Sequence, residues 1–110
     1  MFDDLKPEAP RAHGRQVWCK PPKAVWVDLG AAFPIGRPRE HFAEGLDLQA
    51  RVPGELLFWE KTTTGHWVGY VSFVMPKSHA GVRVSQLVIE YALSLREDAP
   101  ARPQRSTERR

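Results

Sequence analysis

A single cysteine, Cys19, stands among 110 residues. One thiol cannot build an internal disulfide framework, so the chain lacks the signature of a stapled secreted scaffold. Long apolar runs are missing too. No window approaches the ~18 consecutive apolar residues of a membrane-spanning helix. The opening stretch MFDDLKPEAP has no basic segment followed by an apolar one, as a secretory leader would. We therefore expect a cytoplasmic protein without membrane attachment. No internal repeat is visible. His13, His41, His66 and His79 have no metal-ligand spacing with one another or with Cys19. Neither a metal nor a cofactor is expected. Cys19, between Trp18 and Lys20, has no neighbouring base to activate it and reads as a plain, partly buried thiol. Glu60 and Glu90 have no spacing that demands acid–base work and read as solvated charges at strand ends. No catalytic signature emerges, and a non-enzymatic role is expected.

Charge of one sign is scarce in the middle of the chain. Residues 24–95 carry six basic and seven acidic groups, a net −1. Residues 1–23 carry five basic and three acidic groups, and residues 96–110 the same, so each end is +2. A nucleic-acid-binding domain usually gathers Lys and Arg on one folded face. Here the excess lies in the ends. Eleven Arg against five Lys, with abundant Ala, Gly and Pro, is the usage of GC-rich coding. We expect an accessory protein of a bacterium, or of a plasmid or phage within one.

What is present is a β pattern. Residues 1–16 carry mixed charge, prolines and no period, and are expected to be a flexible arm. Pro21 and Pro22 block a helix after Val17–Cys19. In KAVWVDLG, Val25, Val27 and Leu29 fall on one strand face, with Trp26 and Asp28 on the other. AAFPIG reads as a loop. RPREHFAEGL reads as a short helix, with Pro38 in its first turn and Gly45 at its end. LDLQARV alternates like a half-buried strand, and Pro53-Gly54 reads as a turn. ELLFWEK is a strand, apolar on both faces near its centre. TTTG is a turn in which Gly65 supplies positive φ. In HWVGYVSFVM, Trp67, Val71, Phe73 and Met75 share one face with Gly69 between them, and His66, Val68, Tyr70, Ser72 and Val74 share the other. PKSHAG is a loop. VRVSQLVIEYALSLR fits either one helical face or strand, turn at Glu90–Ala92, strand; its β-branched start favours the second. Residues 96–110 hold no apolar residue larger than Ala and are expected to be a disordered basic tail. The expected architecture is mainly β: a small barrel or rolled antiparallel sheet over residues 17–95 with one short helix.

The stretch GELLFWEKTTTGHWVGYV resembles the middle of an SH3 domain. There a strand ends in an acidic-basic pair, a polar turn follows, and the next strand opens with two tryptophans and then a glycine. Glu60 and Lys61 match the pair, Trp67 the second tryptophan, and Gly69 the small residue. QLVIEYALSLR is similar to the family's closing strand, 3₁₀ turn and strand. The resemblance implies an SH3-like fold over about half the chain. It does not imply the family's peptide binding. The ligand-binding tryptophan falls on His66, and the groove's proline, asparagine and tyrosine fall on Ile89, Tyr91 and Ala92. A polyproline helix docks between aromatic ridges, which are missing here. A second stretch, AVWVDLGAAFPIGRP, is similar to the start of the MazF and PemK toxin endoribonucleases. By that likeness Arg37 would steady a phosphate during RNA cleavage. The family's later Thr or Ser has no clear counterpart, although Thr62, Thr63 and Thr64 are available. Arg37 and Thr62 are the catalytic pair of this alternative.

The tryptophans are the least ordinary feature. Trp67 is expected in the core. Trp26 shares its face with Asp28 and should be partly exposed. If Trp26, Trp59 and Tyr70 gather outside, near His66, they form an aromatic patch suited to a protein partner or to stacked bases; otherwise they cover the core beneath the tails. Arg102, Arg105, Arg109 and Arg110 offer phosphate contacts or form a solvated tail. The primary expectation is a non-catalytic SH3-like module that binds a protein. The alternatives are the toxin-type ribonuclease and a nucleic-acid-binding regulator that uses its basic tails.

Overall fold

The computed structural model describes residues 16–97. The arm at 1–15 and the tail at 98–110, with Arg102, Arg105, Arg109 and Arg110, lie outside the described residues. The fold is mainly β. Five antiparallel strands, β1 (Val17–Asp28), β2 (Arg51–Lys61), β3 (Trp67–Met75), β4 (Val82–Ile89) and β5 (Leu93–Leu95), form one sheet in the order β4-β3-β2-β1-β5. A single helical turn, α1 (Leu29–Ala32), follows β1, and a 3₁₀ turn (Glu90–Ala92) joins β4 to β5.

Alternation builds the sheet. In β3 every second residue from Trp67 to Met75 is buried, and the intervening residues face out. The inner residues meet Val25 and Val27 of β1, Val52, Leu56 and Trp59 of β2, Val88 of β4 and Leu93 of β5 in one core. Gly69 sits at its tightest point. A Cβ added there would lie 2.6 Å from Leu56 Cδ1 and 3.0 Å from Leu93 Cδ1. β5 and β3 are not neighbours in the sheet, so this approach means that the sheet rolls until its two halves touch. It rolls without closing; β4 and β5 remain edges. α1 packs on the 3₁₀ turn and closes one end.

The β2–β3 turn follows from its residues. Thr62 N–H donates to His66 O at 2.8 Å and Gly65 N–H to Thr62 O at 3.0 Å. Gly65 has φ +88°, the left-handed position that closes a three-residue hairpin loop. Thr62 Oγ1 accepts from His66 N–H at 3.0 Å. The segment after β3 resolves as strand, 3₁₀ turn and strand, the second of the two readings, since Val84 and Val88 point inward with Ser85 and Leu87 outward.

Three expectations change. The helix is not at 37–46 but at Leu29–Ala32. There Asp28 Oδ1 caps Ala31 N–H at 3.3 Å, and Pro34 prevents continuation. In the 37–46 stretch Phe42 and Leu46 are both exposed, so a helix would have no apolar face to bury and nothing to offset its nucleation. Residues 46–50 do not extend as a strand. Asp47 Oδ1 accepts Gln49 N–H at 2.9 Å, a side-chain turn that competes with the ladder. Pro53-Gly54 is not a turn but part of β2. Pairing with β3 begins at Gly54↔Phe73, so the N–H that Pro53 lacks falls outside that ladder.

Gly69→Ala is expected to lower stability by about 1–3 kcal/mol through overpacking against Leu56 and Leu93. Urea unfolding followed by tryptophan fluorescence reads this as a lower midpoint. An unchanged midpoint would mean that the roll is looser than described.

Candidate functional site

With the inner face filled, the side chains left to meet a ligand are those of the outer face. Two bulges decide which they are. β1 and β2 shift register between Trp18 and Lys23, where Cys19–Pro22 loops out against β2. β2 and β3 shift between Leu56 and Phe58. The second bulge turns both Leu56 and Trp59 inward and leaves Phe58 outside. Trp59 is 1% exposed and meets Trp67 edge-on at 6.3 Å. It belongs to the core, and the expected patch of Trp26, Trp59, His66 and Tyr70 does not form.

The outer face carries a different row. Trp18, Phe58, Tyr70 and Leu87 lie opposite one another across β1, β2, β3 and β4. Trp18 tilts against Phe58 with ring centroids 4.7 Å apart, and Phe58 stacks on Tyr70 at 4.9 Å with planes 7° apart. Trp18 is 50% exposed and Leu87 45%. β5 pairs with β1 only from Val25 to Val27, so among the described residues no strand flanks Trp18 on its far side. A period-two reading of Val17–Cys19 puts Trp18 outside; the prolines that follow hide the signal by interrupting the strand pattern.

Farther along the same face lies a cleft of about 470 Å³, lined among others by Pro53, Glu55, Ser72, Arg83 and Arg96. Arg83 Nη1 donates to Ser72 Oγ at 3.2 Å. Beside it, Trp26 is covered by two guanidiniums, Arg51 at 4.3 Å and Arg96 at 5.3 Å from the ring centroid. Such cation–π contacts hold the arginine planes in place and are worth about 0.5–1 kcal/mol each at partly exposed sites. Trp26 is half-buried as expected, but its ring is occupied by this protein's own arginines.

The remaining candidates are scattered. His66 is exposed on the hairpin, with Nδ1 2.9 Å from Thr64 Oγ1; it is a turn residue. Thr62 spends its hydroxyl in that same turn. Arg37 is exposed on the connection between α1 and β2, which is tied to the other end of β3 by Asp47 N–H donating to Pro76 O at 2.9 Å. Thr62 lies beyond the far end of the 11-residue β2, about 36 Å of extended chain away from that strand's start. No described contact brings Arg37 and Thr62 together. Among the described residues no three His, Cys, Asp or Glu side chains could hold a metal ion, and no helix is long and apolar enough to cross a membrane.

The chain matches no family model, no curated protein and no solved structure.

Burial pushes the Cys19 thiol above its ordinary pKa, and the nearby Lys23 ammonium offsets only part of this. The reactive thiolate is therefore scarcer at neutral pH than in a free thiol. Alkylation by iodoacetamide near neutral pH is expected to be several-fold slower than for free cysteine, to rise as pH climbs past the ordinary thiol range, and to accelerate in urea. A native rate equal to that of the unfolded chain would contradict the assigned burial.

Proposed function

We propose that the protein is a non-catalytic binding module of SH3-like build whose partner docks on the outer face of the sheet. Two features support the build: the hairpin that places Trp67 and Gly69 inward after Glu60-Lys61, and the ending of strand, 3₁₀ turn and strand. The binding mode departs from the family. At the groove positions Ala92 is buried, and His66 is a turn residue in place of an aromatic ridge. A polyproline helix has no slot there.

The observation that carries the proposal is the Trp18–Phe58–Tyr70–Leu87 row. Three aromatic rings and a leucine aligned across four strands, with no described strand beyond either end, are what a partner can cover, and buried aromatic anchors supply most of the energy at such interfaces. The patch first expected from Trp26, Trp59, His66 and Tyr70 is thereby recast, with Tyr70 alone retained. The ribonuclease alternative has no comparable support, since no described contact brings Arg37 and Thr62 together and the Thr62 hydroxyl is engaged in the β2–β3 turn.

Trp18→Ala combined with Tyr70→Ala is expected to remove at least about 2 kcal/mol of partner affinity while leaving near-UV circular dichroism of the core tryptophans native. Affinity capture with the wild-type and double-variant proteins, read by quantitative mass spectrometry, compares them. Specific partners retained equally by both proteins would sink the proposal, as would RNA cleavage by the purified protein that Arg37→Ala abolishes.

A further inference from the structure

We infer that the partner laid across this face is single-stranded nucleic acid, with phosphates at the arginine cleft and bases against the aromatic row. The inference rests on the binding-module reading and adds the chemistry of the ligand. Arg83 and Arg96 line the cleft with a single carboxylate, Glu55, and Arg51 lies against Trp26 beside it. With Asp28, which faces Arg51 across β1 and β2, counted as well, three arginines stand against two carboxylates in and beside the cleft, a small positive excess where residues 24–95 as a whole are net negative. Guanidiniums anchored by a ring or by a hydroxyl present their donors in a fixed plane, the arrangement that grips phosphate oxygens two at a time. Ser72 adds a hydroxyl on the cleft wall.

Position supplies the second half of the argument. Tyr70 of the aromatic row and Val74 at the cleft are four residues apart on β3, about 13 Å along the strand. That distance is about four nucleotides at the 3.4 Å rise of one stacked strand, and fewer when the bases are spread. One short strand therefore reaches both features. Stacking platforms joined to a positive track are how sequence-tolerant single-strand binders work. A duplex keeps its base faces covered and cannot use Trp18.

The test is fluorescence anisotropy of the full chain with labelled 15-residue oligo-dT and oligo-U, and with a duplex of the same length, over a salt series. We expect the single strands to bind more tightly than the duplex. Trp18→Ala should weaken binding about fivefold or more. Arg83→Ala should weaken it and flatten the slope of log K against log salt by about 0.7. Both residues are exposed, so circular dichroism should show both variants folded. Three results would overturn the inference: no oligonucleotide binding at low salt, duplex bound as tightly as single strand, or binding that survives both substitutions and disappears on deletion of residues 98–110. If oligonucleotides fail while capture of a protein still depends on Trp18 and Tyr70, the ligand assignment falls and the binding-module reading stands.

Discussion

The closeness of Leu93 and Leu56 to the bare backbone of Gly69 is the constraint on which the remaining structure depends. A flat five-stranded sheet would leave β5 far from β3. Removing one side chain from the middle of β3 lets leucines from β2 and β5 fill the same space, and the sheet curls around that point. Gly54 makes a second seam, where an added Cβ would meet Val71 and Val27 at 2.9 and 3.1 Å. The roll creates an enclosed core from strands that would otherwise have one dry face and nothing to cover it. Interiors packed to this density have little room to adjust, so a side chain at either glycine would displace its neighbours, and at Gly69 those neighbours include β5 across the roll.

Curvature divides the molecule into two surfaces with different work. The inner surface is saturated: Trp59 and Trp67 meet edge to face, and Lys61 lies over the Trp67 ring at 5.0 Å near the hairpin end. Among the described residues the outer surface has no such closure. Its aromatic side chains stack on one another across strands, and its arginines lie on Trp26 or against Ser72. Cross-strand pairing of this kind stabilises a sheet modestly, and it also holds exposed groups in fixed positions. Pre-positioned rings and guanidiniums lose less entropy when a ligand arrives. A surface of this type suits binding. Thr62 and His66 share one turn on this protein, and no described contact joins that turn to Arg37 or Cys19.

Particular residues show how far the sequence could be read. β3 was legible because nine residues alternate without interruption and Gly65 marks the turn before them. The ending at Glu90–Ala92 was legible, though as one of two readings, because β-branched residues precede it. The 37–46 segment misled because local propensity for a helix counts for little when Phe42 and Leu46 have no surface to pack on. Trp59 misled for another reason. A strict two-residue period cannot place both Leu56 and Trp59 on one face, and only the bulge at position 57 allows it. That one extra residue exchanges Trp59 for Phe58 on the outside and so changes the identity of the candidate site.

Taken alone, the order of amino acids determined the class of fold, the main hairpin, the inward set Val25, Val27, Trp67, Val71 and Phe73, and the partial exposure of Trp26, because alternation and glycine-dependent turns are local properties. Tertiary structure alone decided which aromatics face water, where the helical turn sits, and that Arg51, Arg83 and Arg96 share a face. These depend on register and bulges between segments far apart in the chain. Register is set by the fit of whole strands against one another, and no short window of residues contains that information.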